Sequence, residues 1–406
     1  MKILMTAYSC EPGRGSEEGV GWNFARQAAK RNEVYLITRE NNVPSIEEAV
    51  RREGLTGLKV VGFDLPPWMR FWKKKRRGAV PYFYLWTLTA GLMARRLDRV
   101  VGFDLVHSTT FVSSWIPSGL VFVDKPLVWG PVGQHPKIPA QFLIEAPRGV
   151  RVNEALRAGL KACLPKIDPL LRHTMRRAAL TLSLGSEFER RGRPRGCGPI
   201  VRMPAIGVDT IYSPLPHDGT TLLFAGRLVE MKAPRLALKA FARAKVWDSS
   251  LTMTFLGSGP LRGRLEELAV NLGVADAVHF LGHVPFEGVT NYFRRADIFL
   301  FPSFEGAGMV VPEAMAAGAL VVCLDFGGPG DMTEGGRGIA CKVEDTEDET
   351  AKGIATELLK ILSDPKRGER IRATAQAWVT STMLWDRKGE QLQAEYERVL
   401  RRVLAV

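Results

Sequence analysis

The sequence predicts a two-domain α/β protein, each half building its own doubly wound parallel sheet. Three observations carry this expectation. The first residues read as strand, glycine-rich loop, helix and strand. A second series, beginning at TTLLFAGR, alternates strands with helices of about 10–15 residues and shows no sequence repetition of the first. A chain of 406 residues with 46% hydrophobic content can also bury a core in each of two domains.

In order, KILMTAYS is a strand by its apolar content, and CEPGRGSEEG is a loop. VGWNFARQAAKR has helical periodicity, with Val20, Phe24 and Ala28 on one face, and EVYLITRE is the next strand. Gly13, Gly15 and Gly19 do not make a GxGxxG fingerprint, so the loop reads either as a ligand-facing turn or as a plain tight turn. SIEEAVRREG and LKVVGF give a further helix and strand. FDLVHSTTF is a strand ending in polar residues, and KPLVWGPVGQHPKIP runs from a strand into a Pro/Gly-punctuated loop. Strand ends in such sheets face ligands, so His107, Gln134 and His135 are candidate cleft residues, although a lone histidine also serves structure. Residues 151–179 are basic and helical, interrupted by Pro165 and Pro169. TLSLGSEFE and IVRMPAIGVDTIYSP close the first domain.

In the second half APRLALKAFARA is a helix, LTMTFLGSG a strand and turn, LRGRLEELAVNLG a helix, and AVHFLGHVP a strand. EDTEDE, from Glu344 to Glu349, reads either as a cation site or as an acidic lead-in to the helix that follows. WDRKGEQLQAEYERVLRRVL is a terminal amphipathic helix. The expected domains are 1–204 and 205–380, with 381–406 crossing back to the first.

The most informative stretch is PSFEGAGMVVPEAM, where Glu305 and Glu313 stand eight positions apart. ADIFLFPS is a buried strand, EGAG a turn, and VPEAMAAGALVV a helix whose Pro312 suits a first turn. Glu305 is then on the loop and Glu313 in the first helical turn. The small residues between them leave backbone N–H groups free for a phosphate. Two acids beside phosphate point to a hydroxyl-rich ligand. The alternative is one acid favouring the helix dipole and one solvated loop acid.

The net charge is +13, unevenly distributed: residues 1–205 hold 33 Lys+Arg against 17 Asp+Glu, and the remainder 23 against 26. A first half so basic suits an anionic surface or polymer. Within it Trp68, Phe71 and Trp72 adjoin the run Lys73, Lys74, Lys75, Arg76 and Arg77, which is expected to dock on an anionic membrane, the alternative being a solvated loop. No recognition module for nucleic acid is visible, so none is expected as a partner. The five cysteines are scattered with no CxxC, excluding a disulfide framework or zinc ribbon. MKILMTAYSC enters a strand directly, and no apolar run reaches about 18 residues, so a cytoplasmic protein is expected.

GVDTIYSP, FAGRLVEMKAPRLALKAF, FLGSGPLR, VHFLGHVP, ADIFLFPSFEGAGMVVPEAMAAG and DFGGPGD occur in one order. In this they resemble the nucleotide-sugar half of retaining GT-B glycosyltransferases, specifically glycosyltransferase family four. SEEGVGWNFA and VWGPVG resemble, more loosely, a subgroup that builds bacterial surface polysaccharides. The resemblance implies two Rossmann-like domains facing across a cleft and transfer of a hexose from a nucleotide sugar, UDP-linked ahead of GDP-linked, to a lipid-linked or saccharide acceptor. It implies that Arg227 and Lys232 hold the donor diphosphate in place of a metal, with no cofactor required. The backbone from Ala307 through Gly308 and Met309 to Val310 would meet the distal phosphate, Glu313 the ribose and Glu305 the sugar. Gly15 would close over the phosphates, and Val284 would lie by the base. The catalytic set is thus Glu305, Arg227 and Lys232. The expected location is cytoplasmic, peripheral at the inner face of the cytoplasmic membrane. The competing expectation is a catalytically silent member that only binds nucleotide sugar or scaffolds a polysaccharide complex.

Overall fold

The computed structural model describes residues 1–70, 78–133, 136–191, 198–213, 215 and 219–404. The chain forms two compact units: residues 1–134, 159–206 and 385–406, and residues 135–158 with 207–384.

The first unit is built on seven parallel strands in the order β3-β2-β1-β4-β5-β6-β7. They are β1 (Lys2–Ala7), β2 (Glu33–Thr38), β3 (Leu58–Gly62), β4 (Leu105–Thr110), β5 (Leu127–Val132), β6 (Ala178–Ser183) and β7 (Ile200–Arg202). The central strands are apolar along nearly their whole length because helices cover both faces, as a parallel sheet requires. Ser16–Ala29 follows β1 directly, giving the expected strand-loop-helix-strand opening. The helix Ala79–Val101 buries Tyr82, Phe83 and Trp86 in one core with Tyr8, and its Gly91 abuts the backbone of Gly119, where a Cβ would come within 2.1 Å of the carbonyl oxygen. Only glycine permits that approach.

The second unit has six parallel strands in the order β10-β9-β8-β11-β12-β13. These are β8 (Thr221–Ala225), β9 (Thr252–Leu256), β10 (Val278–Gly282), β11 (Ile298–Phe301), β12 (Leu320–Leu324) and β13 (Ile339–Cys341). Phe224, Phe255, Phe299 and Phe301 fill its centre. Because all strands run the same way, the loops after β8, β9, β10 and β11 emerge at one edge, where Arg227, Val284 and Glu305 reside.

The expected boundaries at 204/205 and 380/381 fall instead at 206/207 and 384/385, and residues 135–158 cluster with the second unit although they precede the end of the first. The physical reason is local. Phe142 packs on Phe304 at 4.7 Å between ring centroids, Gln141 Nε2 donates to the Glu344 carbonyl at 3.1 Å, and Glu145 pairs with Arg235. Residues 385–406 join the first unit through a helix, Trp385–Leu404, that buries Trp385, Leu392, Tyr396 and Val399. Of the two prolines expected to interrupt the basic stretch, only Pro169 does so, opening a second helix, Pro169–Arg177; Pro165 lies inside the first, Arg148–Ile167. Asp168 caps the second, accepting from Leu170 N and Leu171 N at 2.8 and 3.0 Å.

Candidate functional site

Arg227 sits between two strand ends that are stitched backbone to backbone. Gly226 N donates to the Leu256 carbonyl at 2.9 Å, Leu228 N to Ser258 O at 3.0 Å, and Gly257 N to Gly282 O at 2.7 Å. A Cβ on Gly257 would stand 2.0 Å from the Gly226 oxygen, and Gly257 has φ +127°, so the crossing demands glycine. The arrangement leaves the Arg227 side chain exposed, with no ion pair among the described residues.

Lys232 closes the single 3₁₀ turn Glu230–Lys232, whose next residue, Ala233, is held at φ +48°, uncommon for a residue other than glycine. Its ammonium is ion-paired to Glu305 Oε2 and lies 4.8 Å from the Phe301 ring centroid. The loop after β11 is tied to the same turn, Phe304 N donating to Met231 O at 2.8 Å and Ser303 Oγ to the same oxygen at 3.3 Å. The Ser303 hydroxyl also accepts from Glu305 N at 3.3 Å. Ser303 therefore positions Glu305. A serine two residues before an acid in a turn is the signal that could have found it.

The other side of the loop rests on Gly327 and Gly328. Gly328 N donates to Glu305 O at 3.3 Å, and a Cβ on Gly327 (φ +59°) would lie 2.3 Å from that oxygen. The glycines of DFGGPGD thus brace the Glu305 backbone, a role not evident from sequence order. Ala307, Gly308 and Met309 donate no backbone hydrogen bond among the described residues, and they lead into the helix Val310–Ala316. Glu313 is in the first turn of that helix, as expected. Burial raises its carboxyl from the ordinary range to about 7, and no partner for the side chain stands among the described residues.

Arg227, Lys232, Glu305, Glu313 and the donors at 307–309 accordingly gather on one edge of the second unit. Val284 is half-buried on the loop between β10 and the helix Phe286–Arg295 at that edge. Gly15 belongs to the first unit, where it precedes Ser16–Ala29 in extended conformation with open space where a Cβ would be.

Other candidates are placed differently. His107 is not a cleft residue. It is the third residue of β4, fully buried, with Nδ1 2.6 Å from Tyr396 Oη and Nε2 2.6 Å from Gly130 O. Burial lowers it to about 4, so the ring is neutral near pH 7 and serves the core under the C-terminal helix. Gln134 and His135 lie outside the described residues, as do Phe71, Trp72 and Lys73, Lys74, Lys75, Arg76 and Arg77. Trp68 is described and 72% exposed. Of EDTEDE, Glu347 pairs with Arg235 at 2.7 Å and Lys239 at 3.3 Å, Asp348 pairs with Lys239, and Thr346 caps the helix Glu347–Leu362. That is the acidic lead-in rather than a cation site. Glu17, which the sequence reading passed over, is a half-buried acid raised to about 7 by desolvation while accepting from Val112 N at 3.1 Å.

Two Rossmann-like units, each built on a parallel sheet, define the GT-B architecture. Residues 212–378 match the family described as Glycosyl transferases group 1. The chain is 32% identical over 193 residues to D-inositol 3-phosphate glycosyltransferase of Thermomonospora curvata, covering 45% of this chain and 43% of that protein. It is 31% identical over 186 residues to glycogen synthase of Mycobacterium tuberculosis, covering 44% of each. It also matches the GDP-mannose-dependent alpha-(1-6)-phosphatidylinositol monomannoside mannosyltransferase of Mycolicibacterium smegmatis at 26% over 299 residues, covering 64% of this chain and 76% of that one. The aligned stretch spans less than half the length of the first two relatives. Among solved structures, sucrose-phosphate synthase from Thermosynechococcus elongatus superposes with a TM-score of 0.66 at 16% identity, covering 99% of both chains.

Proposed function

We propose that this chain is a retaining glycosyltransferase that moves a hexose from a nucleotide-diphosphate sugar to a lipid-linked or saccharide acceptor during bacterial surface polysaccharide synthesis. The observation that carries this reading is the convergence of an exposed Arg227, a Lys232–Glu305 pair and free backbone donors at 307–309 on one sheet edge. Two cations and several N–H groups suit a diphosphate whose charge grows as it departs. Glu313, a half-buried acceptor with no protein donor among the described residues, suits ribose hydroxyls. Once diphosphate engages Lys232, the Glu305 carboxylate is released to accept from hydroxyls of the sugar.

In the proposed reaction the bond between the anomeric carbon and the diphosphate oxygen breaks, and the acceptor oxygen bonds the same carbon on the same face. The acceptor's proton passes to the departing diphosphate. No protein nucleophile is needed, and Arg227 with Lys232 supplies the charge that a metal supplies elsewhere. The donor is proposed to be a UDP-sugar, the site cytoplasmic, and the membrane contact the segment from Trp68 to Arg77, five of whose cations contribute about 1 kcal/mol each near an acidic leaflet. The relatives named for inositol phosphate and phosphatidylinositol substrates fit a polar or lipid-borne acceptor.

The test is a thermal-shift panel of UDP-, GDP- and ADP-sugars, followed by NMR of the product formed from the best donor. A ligand at about 100 times its dissociation constant adds about 2.7 kcal/mol of stability. Retention at the anomeric carbon supports the reading. Inversion, or donor binding with neither hydrolysis nor transfer, overturns it.

A further inference from the structure

The second unit carries a cavity of about 350 Å³ that Arg227, Lys232, Glu305 and Glu313 do not line. Its volume falls within the range of ordinary small-ligand sites. It opens between the helix Pro234–Lys245, the helix Arg262–Asn271 and the stretch around Phe142 that clusters with this unit. One wall is apolar, made by Phe142, Ala146, Pro234, Leu261, Leu265 and Leu268. At 3.6 residues per turn, Leu261, Leu265 and Leu268 form one line along the second helix, and Arg264, Glu267 and Asn271 form the line next to it. That helix therefore brings an apolar edge and a polar edge to the same opening. Glu230 adds a further carboxylate, from the 3₁₀ turn that ends at Lys232.

The lining chemistry narrows the ligand. Glu145, Glu230, Glu267 and Glu347 stand against two guanidiniums, those of Arg235 and Arg264, and Arg235 is already paired with Glu145 and Glu347. An anion would meet one uncommitted cation beside two uncommitted acids, which argues against phosphates, nucleotides and acidic peptides. A wholly apolar ligand would strip water from Glu230, Arg264, Glu267 and Asn271 and return nothing for it. A simple cation would face the Arg264 guanidinium. These four side chains have no hydrogen-bond or ion-pair partner among the described residues. Carboxylates only accept, a guanidinium only donates and an amide does both, so together they match hydroxyl groups acting in either sense. The leucine line beside them suits the C–H faces of a sugar ring.

We propose that this cavity binds a neutral saccharide, the already assembled part of the acceptor glycan. Glu230 and Lys232 share one turn, so the saccharide is held alongside the edge at which the donor is cleaved. Only the assignment of the saccharide to the acceptor rests on the glycosyltransferase reading above; the binding stands on the cavity itself.

Saturation-transfer NMR tests it, with neutral di- and trisaccharides of glucose, galactose and mannose as probes and hexose 6-phosphates and butylamine as charged comparisons. Three full-length proteins are compared: wild type, Arg264→Ala/Glu267→Ala and Leu268→Trp. Arg264 and Glu267 are both exposed, so the double variant should keep the wild-type melting temperature. The larger side chain at 268 narrows the cavity. Wild type is expected to bind at least one neutral saccharide, with donor nucleotide present or absent, and both variants to bind it about tenfold or more weakly. The kcat/KM for transfer to an oligosaccharide should fall by a similar factor while donor hydrolysis is unchanged. The inference is overturned if no neutral saccharide binds, if both variants bind it as wild type does, or if the hexose phosphates or butylamine bind in preference. Weakened saccharide binding with undiminished transfer to oligosaccharides overturns the acceptor assignment. If no nucleotide sugar binds or reacts, the glycosyltransferase reading falls, and saccharide binding by the nucleotide-free protein still decides the cavity.

Discussion

Lys232 and Glu305, 73 positions apart in the sequence, form an ion pair with side chains only 17 and 9% exposed, at the edge of the second sheet. The pair neutralises both groups in the structure, and in the proposed reaction it opens when diphosphate takes over Lys232. It also means that neither acts alone. Glu305→Ala leaves a half-desolvated ammonium over the Phe301 ring, and Lys232→Ala leaves an unpaired carboxylate. Each single variant should lower kcat/KM by about 2–4 kcal/mol of transition-state stabilisation, and the double variant by much less than the sum. A double-mutant cycle on donor hydrolysis measures this. Strict additivity means that the pair is not a working unit.

Arg227 differs in being exposed and without an ion pair among the described residues, so Arg227→Ala should leave the stability within about 0.5 kcal/mol of wild type while turnover falls about 30-fold or more. Activity should survive EDTA if two cations stand in for a metal. Complete loss on chelation, restored by magnesium or manganese, shows that the metal-free proposal is wrong.

Glu313 gives a pH signature. Its folded carboxyl, raised to about 7, lies above the ordinary carboxylate range. The neutral acid is thus favoured in the folded state, its contribution to stability is full below about pH 4.5, and it is lost as pH rises through about 7. Glu313→Gln should accordingly stabilise the protein by about 1–3 kcal/mol at about pH 8 and hardly at all at about pH 4, read from thermal melts across that range. Nucleotide hydroxyls that donate to the carboxylate favour its ionised form, so wild-type nucleotide affinity should rise from about pH 6 to about pH 8 and the variant's should not. Parallel stability profiles for the two proteins count against a desolvated carboxyl here.

Legibility in the sequence followed the range of the interaction. The alternation of strands and helices is local, so both sheets were readable from apolar runs and turn residues. The placement of Glu305 on a loop and Glu313 in a first helical turn was readable for the same reason. Residues 135–158 were assigned to the wrong domain because Phe142 meets Phe304 and Gln141 meets Glu344 across more than 160 positions, which no local pattern records. His107 was misplaced by a similar blindness. A strand-borne histidine looks alike whether its face meets a cleft or, as here, a helix nearly 300 positions onward. The pairing of Lys232 with Glu305 was hidden because each was read toward a ligand.

Trp385–Leu404 yields the final prediction, which concerns the first unit's stability. The helix docks through Tyr396 Oη beside His107 Nδ1, through Trp385 against Phe24 at 5.9 Å between ring centroids, and through Lys388 Nζ, which donates to Pro204 O at 2.6 Å. Tyr396→Phe keeps the ring but leaves the buried imidazole nitrogen without its partner, a loss of about 1–3 kcal/mol. His107→Phe removes both ring nitrogens but overpacks the site and leaves Tyr396 Oη and Gly130 O without this partner, so it should destabilise by at least as much. Burial lowers His107 from its ordinary value near 6.5 to about 4, so its contribution is complete above about pH 6.5 and declines as pH falls toward 4. Wild type should therefore lose stability across that interval, and His107→Phe should lose less. If His107 were an acceptor-side group instead, the variant would keep wild-type stability and lose turnover. Thermal melts at several pH values, run beside donor hydrolysis on the same samples, separate the two outcomes.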